Sequence, residues 1–295
     1  MLVSIETGGL GNRIKSWVST QRLSAEPKLY WPITSNMPSR FDELFVDGDI
    51  VDEVPPGAET YKSWRLAILP EDEPYLPEGF AVVGAGAHPF VRAGAAAWWR
   101  LRGRPDDRYR YMLFPKQHSK RSTRRDARHI DLEYGRIPEQ LRAVWVPLFR
   151  ALRPQTHIDE RAGEWWRSVG EDAIVGVQVR TWRDDPRRYR KYHLPAHARL
   201  LRLMQAQPRD TRFLIVSDSD EFVDELSGQF ERDRLVSFPR TTPRNDSYSS
   251  RAGMAEDLID MLLLARCGRL FASYLSTFSE TAWWLGGARA EVDVF

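Results

Sequence analysis

Cysteine is almost absent from this 295-residue chain. The only one, Cys267, reads as part of a buried helix, which excludes an intrachain disulfide and a cysteine-metal cluster. No run of about 18 apolar residues occurs, so no membrane-spanning helix is expected. The opening MLVSIETGGLGNR has no basic segment followed by an apolar stretch and a cleavage site, so no secretory signal is expected and the cytoplasm is the assigned compartment. Net charge is scarce too, at +2, but unevenly spread: Arg100 to Arg128 holds eleven Arg or Lys against Asp106, Asp107 and Asp126, leaving the remainder net acidic. Such a block meets nucleic acid, a nucleotide, an acidic glycan or headgroups, or is simply a solvated face. The interleaved Arg108, Tyr109, Arg110 and Tyr111 keep nucleic acid as a lesser alternative partner.

What is present is alternation. The length suits two domains of ordinary size. The first half opens with a strand at Leu2 to Glu6, a glycine turn, and a helix carrying Ile14, Trp17 and Val18 on one side. A strand at Lys28 to Trp31, a helical turn at Phe41 to Phe45 and a strand at Ile50 to Val54 follow. A helical AAAWW segment lies in the proline-rich middle, and Arg136 to Leu152 reads as a helix with Leu141, Val144, Trp145 and Leu148 as its buried stripe. From Ala173 the units sharpen: strand to Val179, helix Leu194 to Gln205, strand Arg212 to Val216, helix Asp220 to Phe230, strand Leu235 to Phe238. A helix with Leu258, Met261, Leu262 and Ala265, a strand at Leu270 to Ala272, a further helix and a strand at Glu291 to Phe295 complete the chain. This α/β pattern predicts parallel sheets, with ligands beyond the carboxyl ends of the strands, where Arg180, Ser217, Asp218 and Ser273 fall. The expected boundary divides a domain at 1–158 from one at 159–295.

Three segments carry candidate chemistry. GGLGNR, Gly8 to Arg13, sits between strand and helix, where glycines let the backbone approach a ligand and the helix start favours negative charge. It is neither a Walker loop nor a full dinucleotide fingerprint, and a plain tight turn is its alternative. VGVQVRTWRDDPRR brings Gln178 and Arg180 to a strand end; the arginine either neutralises a diphosphate or pairs with Asp184 or Asp185. FLIVSDSDEF delivers Ser217, Asp218 and Ser219, the aspartate either accepting from guanine N1 and N2 or capping the next helix. Near the C-terminus, Ser276, Thr277 and Ser279 open a helix, with Thr277 and Glu280 at capping-box spacing and Gly286 and Gly287 as its stop.

In this order and spacing the segments resemble the GDP-fucose-dependent fucosyltransferases of the two-Rossmann-domain type, particularly the nodulation α-1,6-fucosyltransferases. Gly9, Gly11, Asn12 and Arg13 match the family's GxGNR-type loop, Arg180 its HxR arginine, Ser217 and Asp218 its T/S-D-S turn, and Thr277, Phe278 and Ser279 its terminal segment. Gln178 stands where the family has histidine, and Thr181 where it commonly has a second arginine. The resemblance implies a GT-B-like pair of Rossmann-like domains facing across a cleft. It further implies inverting transfer of L-fucose from GDP-fucose to a glycan hydroxyl, without metal or other cofactor, with Arg180 stabilising the departing diphosphate. Donor binding falls to Gly9, Gly11, Asn12, Arg13, Gln178, Ser217, Asp218, Ser276, Thr277, Phe278 and Ser279. The partners are then a GDP-sugar and a carbohydrate acceptor. Glu6, His88 and His118 are candidate bases, and Trp98, Trp99, Trp182, Trp283 and Trp284 are either sugar-stacking or core. A silent nucleotide- or glycan-binding relative is the rival reading.

Overall fold

A computed structural model describes residues 1–75, 114–115, 123–124, 128–130, 134, 137–170, 174–274 and 276–295. The AAAWW segment, most of the basic block, His88, His118, Trp98 and Trp99 lie outside the described residues. The chain divides into two compact units, Met1–Pro32 with Gly48–Ala151, and Ile33–Asp47 with Leu152–Phe295.

In the first unit the opening strand β1 (Leu2–Ser4) leads into helix α1 (Leu10–Leu23), whose Ile14, Trp17 and Val18 are buried. Strands β2 (Pro27–Tyr30), β3 (Ile50–Val51) and β4 (Glu59–Tyr61) join β1 in a parallel sheet of order β3-β2-β1-β4. A second, antiparallel sheet holds β5 (Leu66–Ile68), β6 (Phe114–Pro115) and β7 (Arg128–Ile130). Helix α2 (Glu139–Arg150) buries Leu141, Trp145 and Phe149. That stripe corrects the expected one: Val144 is 40% exposed. The observed residues recur at i, i+4, i+8, a single tight row. Burying three such side chains, about 1.5–3 kcal/mol each, outweighs the cost of about 3 kcal/mol for the proline inside this helix, Pro147.

The second unit begins with the helical turn Phe41–Leu44 and resumes at helix α3 (Thr156–Val169). Strand β8 (Ile174–Val179) is buried along its whole length, as the continuous apolar run demands. After a π-helical turn at Tyr189–His193 come α4 (Leu194–Gln205), β9 (Arg212–Ser217), α5 (Asp220–Ser227) and β10 (Leu235–Val236). Then follow α6 (Arg251–Leu264), β11 (Arg269–Ala272), α7 (Thr277–Leu285) and β12 (Glu291–Val294). All five strands are parallel, in the order β10-β9-β8-β11-β12.

The faces of β8 divide the packing. Val175, Val177 and Val179 join Leu200, Met204, Phe213, Phe222 and Phe271 in one core cluster. On the alternate positions a Cβ at Gly176 would lie 2.6 Å from Leu270 and 2.8 Å from Leu264, so the glycine lets α6 sit close against the sheet. Helix α6 is buried on nearly every side, including Glu256 and Asp260, so a periodic stripe understates it. Cys267 lies just beyond this helix rather than on it; it is buried, and burial pushes its thiol up to about 12.

In both parallel sheets the first strand stands between the second and the fourth. The chain therefore leaves the sheet's middle in opposite directions, producing a topological switch point between β1 and β4 and another between β8 and β11. In open α/β sheets that is where ligands bind.

Candidate functional site

Beyond the carboxyl end of β8, the Arg180 backbone N–H donates to Ser273 Oγ at 2.8 Å, and Ser273 N–H donates to the Gln178 carbonyl at 3.0 Å. These bonds tie the two strands together at the switch point. Arg180 Nη1 donates to Tyr248 Oη at 2.7 Å and pairs with Asp218 Oδ2 at 2.9 Å. Nε and Nη2 make no hydrogen bond among the described residues, on a side chain 28% exposed. Burial opposes the charge, yet Tyr248 and Asp218 outweigh it and hold the guanidinium pKa above its ordinary value. The expected alternative pairing with Asp184 or Asp185 is not what forms; Asp185 caps a short turn, accepting from Arg187 and Arg188 N–H.

Asp218 is not the helix cap either. Ser219 is, its Oγ accepting from Phe222 N–H at 3.2 Å. Asp218 Oδ1 takes the Thr181 N–H at 2.7 Å and Oδ2 takes Arg180, so both oxygens serve to orient the arginine. Ser217, buried beside it, accepts from Ser219 N–H at 3.2 Å. The cap of α7 is likewise one residue earlier than expected: Ser276 is extended, its Oγ accepts from Ser279 N–H at 3.4 Å, and Thr277 is already helical. With Thr277 inside the helix, it is not the cap that the expected box with Glu280 requires. Thr277 and Phe278 stay half-exposed at this helix start, with Ser276 and Ser279 buried below them.

Gln178 Oε1, Asp260 Oδ1 and the Thr181 hydroxyl are buried and have no hydrogen-bond partner among the described residues. A buried polar atom left in this way costs about 1–3 kcal/mol unless something else satisfies it. Asp260 belongs to a charge cluster that sequence reasoning missed. Arg240, 3% exposed, donates to Asp260 Oδ2 at 2.7 Å and to the Gly253 carbonyl, and pairs with Asp257 at 2.9 Å. Glu256 accepts from Thr241 and Thr242 N–H. The available signal was three acids in AEDLIDMLLL, a helix otherwise too apolar to face water, so they require buried cations.

Burial pushes the Asp257 carboxyl up to about 6, against the pull of Arg240. Between its ordinary value of 3.8 and about 6, the folded chain holds a proton that the unfolded chain has released. This group's contribution to stability therefore falls as pH rises through that window and is level above it. Asp257→Asn should remove that slope; urea denaturation at pH 4.5, 5.5 and 6.5 checks it, and equal slopes in both proteins would refute the assignment.

In the first unit, the glycine loop follows β1 at that sheet's switch point. Arg13 is fully buried: Nε donates to the Gly8 carbonyl at 2.9 Å, Nη1 to the Pro32 carbonyl at 2.8 Å, and the guanidinium lies 4.9 Å from the Trp31 ring centroid. Burial lowers its pKa to about 10. It thus holds the loop from inside. Glu6 Oε1 accepts from Thr7 and Gly8 N–H at 3.1 and 2.9 Å, a second internal brace. Gly9 precedes α1 as its N-cap, and among the described residues a Cβ there would meet nothing within 4 Å. Gly11 is buried and Asn12 half-buried.

Of the two alternatives, Trp283 and Trp284 are core. Trp182 is not: it is half-exposed, has a φ of 57°, and lies 5.1 Å from Arg180 and 4.7 Å from Arg188. His193 and His197 meet the Phe222 ring edge-on. Among the described residues no three metal-ligating side chains converge, and no helix is long and apolar enough to cross a membrane.

Two parallel sheets of Rossmann strand order, each with a polar site at its switch point, define the fold class. No protein-family model matches the chain, and no curated protein does. Solved structures do. Fucosyltransferase NodZ from Bradyrhizobium is 19% identical, with a TM-score of 0.50 over 95% of this chain and 91% of that one. NodZ α-1,6-fucosyltransferase soaked with GDP-fucose gives 18% and 0.52 over 96% and 92%. POFUT1 in complex with GDP-fucose gives 13% and 0.50 over 100% and 98%. At these identities the likeness establishes a shared fold, that of GT-B fucosyltransferases.

Proposed function

We propose that the protein is an inverting fucosyltransferase, moving L-fucose from GDP-fucose to a hydroxyl of a glycan without a metal ion. The observation that carries this reading is Arg180: a cation at the switch point of the second sheet, held by one nitrogen, with the rest of its fork unpaired among the described residues. An arginine so placed suits a diphosphate. In the reaction the acceptor hydroxyl oxygen attacks fucose C1 and gives up its proton, in the end to solvent, while the bond from C1 to the β-phosphate oxygen breaks and the electron pair leaves with GDP. Charge growing on that leaving group is what Arg180 stabilises. Helix α7, with Phe278 at its start, adds a favourable dipole.

Gln178 Oε1 and Asp260 Oδ1 are assigned to guanine, whose N1–H and N2–H are donors seeking buried acceptors. Asp218, with Ser217 behind it, is assigned to holding Arg180. Gly9, Gly11 and Asn12 are assigned to the same donor, with Arg13 as their internal support, and the first domain, 1–158, to the acceptor side. The protein is placed in the cytoplasm. The likeness to NodZ soaked with GDP-fucose and to POFUT1 in complex with GDP-fucose supports the donor.

A thermal-shift series with GDP, UDP, CMP and their sugars tests the reading, because a ligand of the native state raises the melting temperature by mass action. GDP and GDP-fucose should stand out; a preference for UDP would overturn it. The rival, a silent binding relative, is favoured by Gln178, which has no titratable ring; it predicts the same shift with no release of fucose.

A further inference from the structure

We propose, building on the reading that Arg180 grips a diphosphate, that Tyr248 is a positioning residue of this site, its hydroxyl fixing the guanidinium so that the unused N–H edge meets the anion. An arginine at a strand end has a long, rotamer-rich side chain, and one carboxylate contact through Nη1 leaves it free to swing. Tyr248 removes that freedom. Its Oη accepts from the same Nη1 at 2.7 Å, and its ring centroid lies 5.7 Å from the guanidinium carbon. Because a phenol accepts without a negative charge, it orients Arg180 without neutralising it further. A second carboxylate would have done both, and weakened the attraction for phosphate.

The tyrosine does not reach the site by chance of its own rotamer. It belongs to the turn Arg244–Ser249, which is clamped from two sides. Against the start of α5, Arg244 N–H donates to Asp220 Oδ2 at 2.8 Å and Asn245 Nδ2 donates to Glu221 at 3.1 Å. Against α6, a Cβ on Gly253 would lie 2.5 Å from the Ser247 carbonyl oxygen, so only glycine admits the turn so close. The phenol is therefore placed before any ligand arrives, which is what a preorganised site requires. Nothing in the sequence pattern of RNDSYSS singled it out.

The test is a double-mutant cycle on GDP binding by titration calorimetry, with inorganic pyrophosphate titrated in parallel. Tyr248→Phe keeps the ring and the fold, checked by an unchanged melting temperature, and removes only the hydroxyl. Loss of a hydrogen bond to a charged group predicts affinity for GDP and for pyrophosphate about tenfold weaker. If Tyr248 acts through Arg180, the double variant binds no more weakly than Arg180→Ala alone. Tyr248→Phe binding as the parent does, or a loss that adds in full to that of Arg180→Ala, overturns the proposal. Binding of pyrophosphate but not GDP by the parent would overturn the nucleotide reading while leaving this one standing; binding of neither overturns both.

Discussion

Arg180→Ala should reduce fucose release from GDP-fucose by roughly 10²–10³-fold, the loss typical when one preorganised donor to a developing negative charge is removed. The thermal shift with GDP should largely vanish as well, since the fork supplies the charge that pairs with the diphosphate. The fold should survive. Asp218 retains the Thr181 N–H, and Ser273 still bonds the residue-180 backbone N–H, because that contact is independent of the side chain. Comparing the unliganded melting temperatures separates a lost site from a lost fold. Unaltered turnover in a well-folded Arg180→Ala protein would remove the arginine from the mechanism.

Arg240→Ala should have the opposite profile, a large loss of stability that is not confined to ligand binding. It would leave Glu256 and Asp260, each 1% exposed, and the largely buried Asp257 without their shared cation. Breaking a buried ion pair from one side costs about 3–5 kcal/mol, because the remaining charge has neither water nor counterion. Urea denaturation of the second unit's signal would measure it. Here the magnitude decides between two views of the cluster: a surface-like pair would cost at most about 1 kcal/mol. Arg240→Lys should recover only part of the loss, as one ammonium cannot span Asp257, Asp260 and the Gly253 carbonyl together.

Legibility in the sequence followed the range of the physics involved. The helix Leu194–Gln205 is found at its expected bounds, and most strands within two residues, because hydrophobic period and turn residues act locally. The caps were displaced by one residue at Ser219 and Ser276, since neighbouring hydroxyls and carboxylates compete for the same N–H groups and only backbone conformation selects the winner. Arg180 and Asp218 were legible as strand-end residues. Their pairing with each other was not, because β8 and β9 lie side by side only once the sheet has formed. Tyr248, 68 residues from Arg180, carried no local signal of its role. Arg13 was legible as a cation beside a glycine loop, but that it points inward to two carbonyls depends on where Pro32 returns.

Residue order alone thus determined the α/β alternation and the set of polar groups at strand ends, because each rests on contacts within a few residues along the chain; parallel pairing followed only as an implication of that alternation. Tertiary structure decided the strand order that creates the switch points and the packing of segment 33–47 with the second unit. It also decided the division of labour by which Asp218 and Tyr248 orient Arg180 while Arg240 neutralises the acids of α6. Those outcomes depend on which distant groups share a buried volume, where an unpaired charge is too costly to leave, and sequence spacing does not encode that proximity.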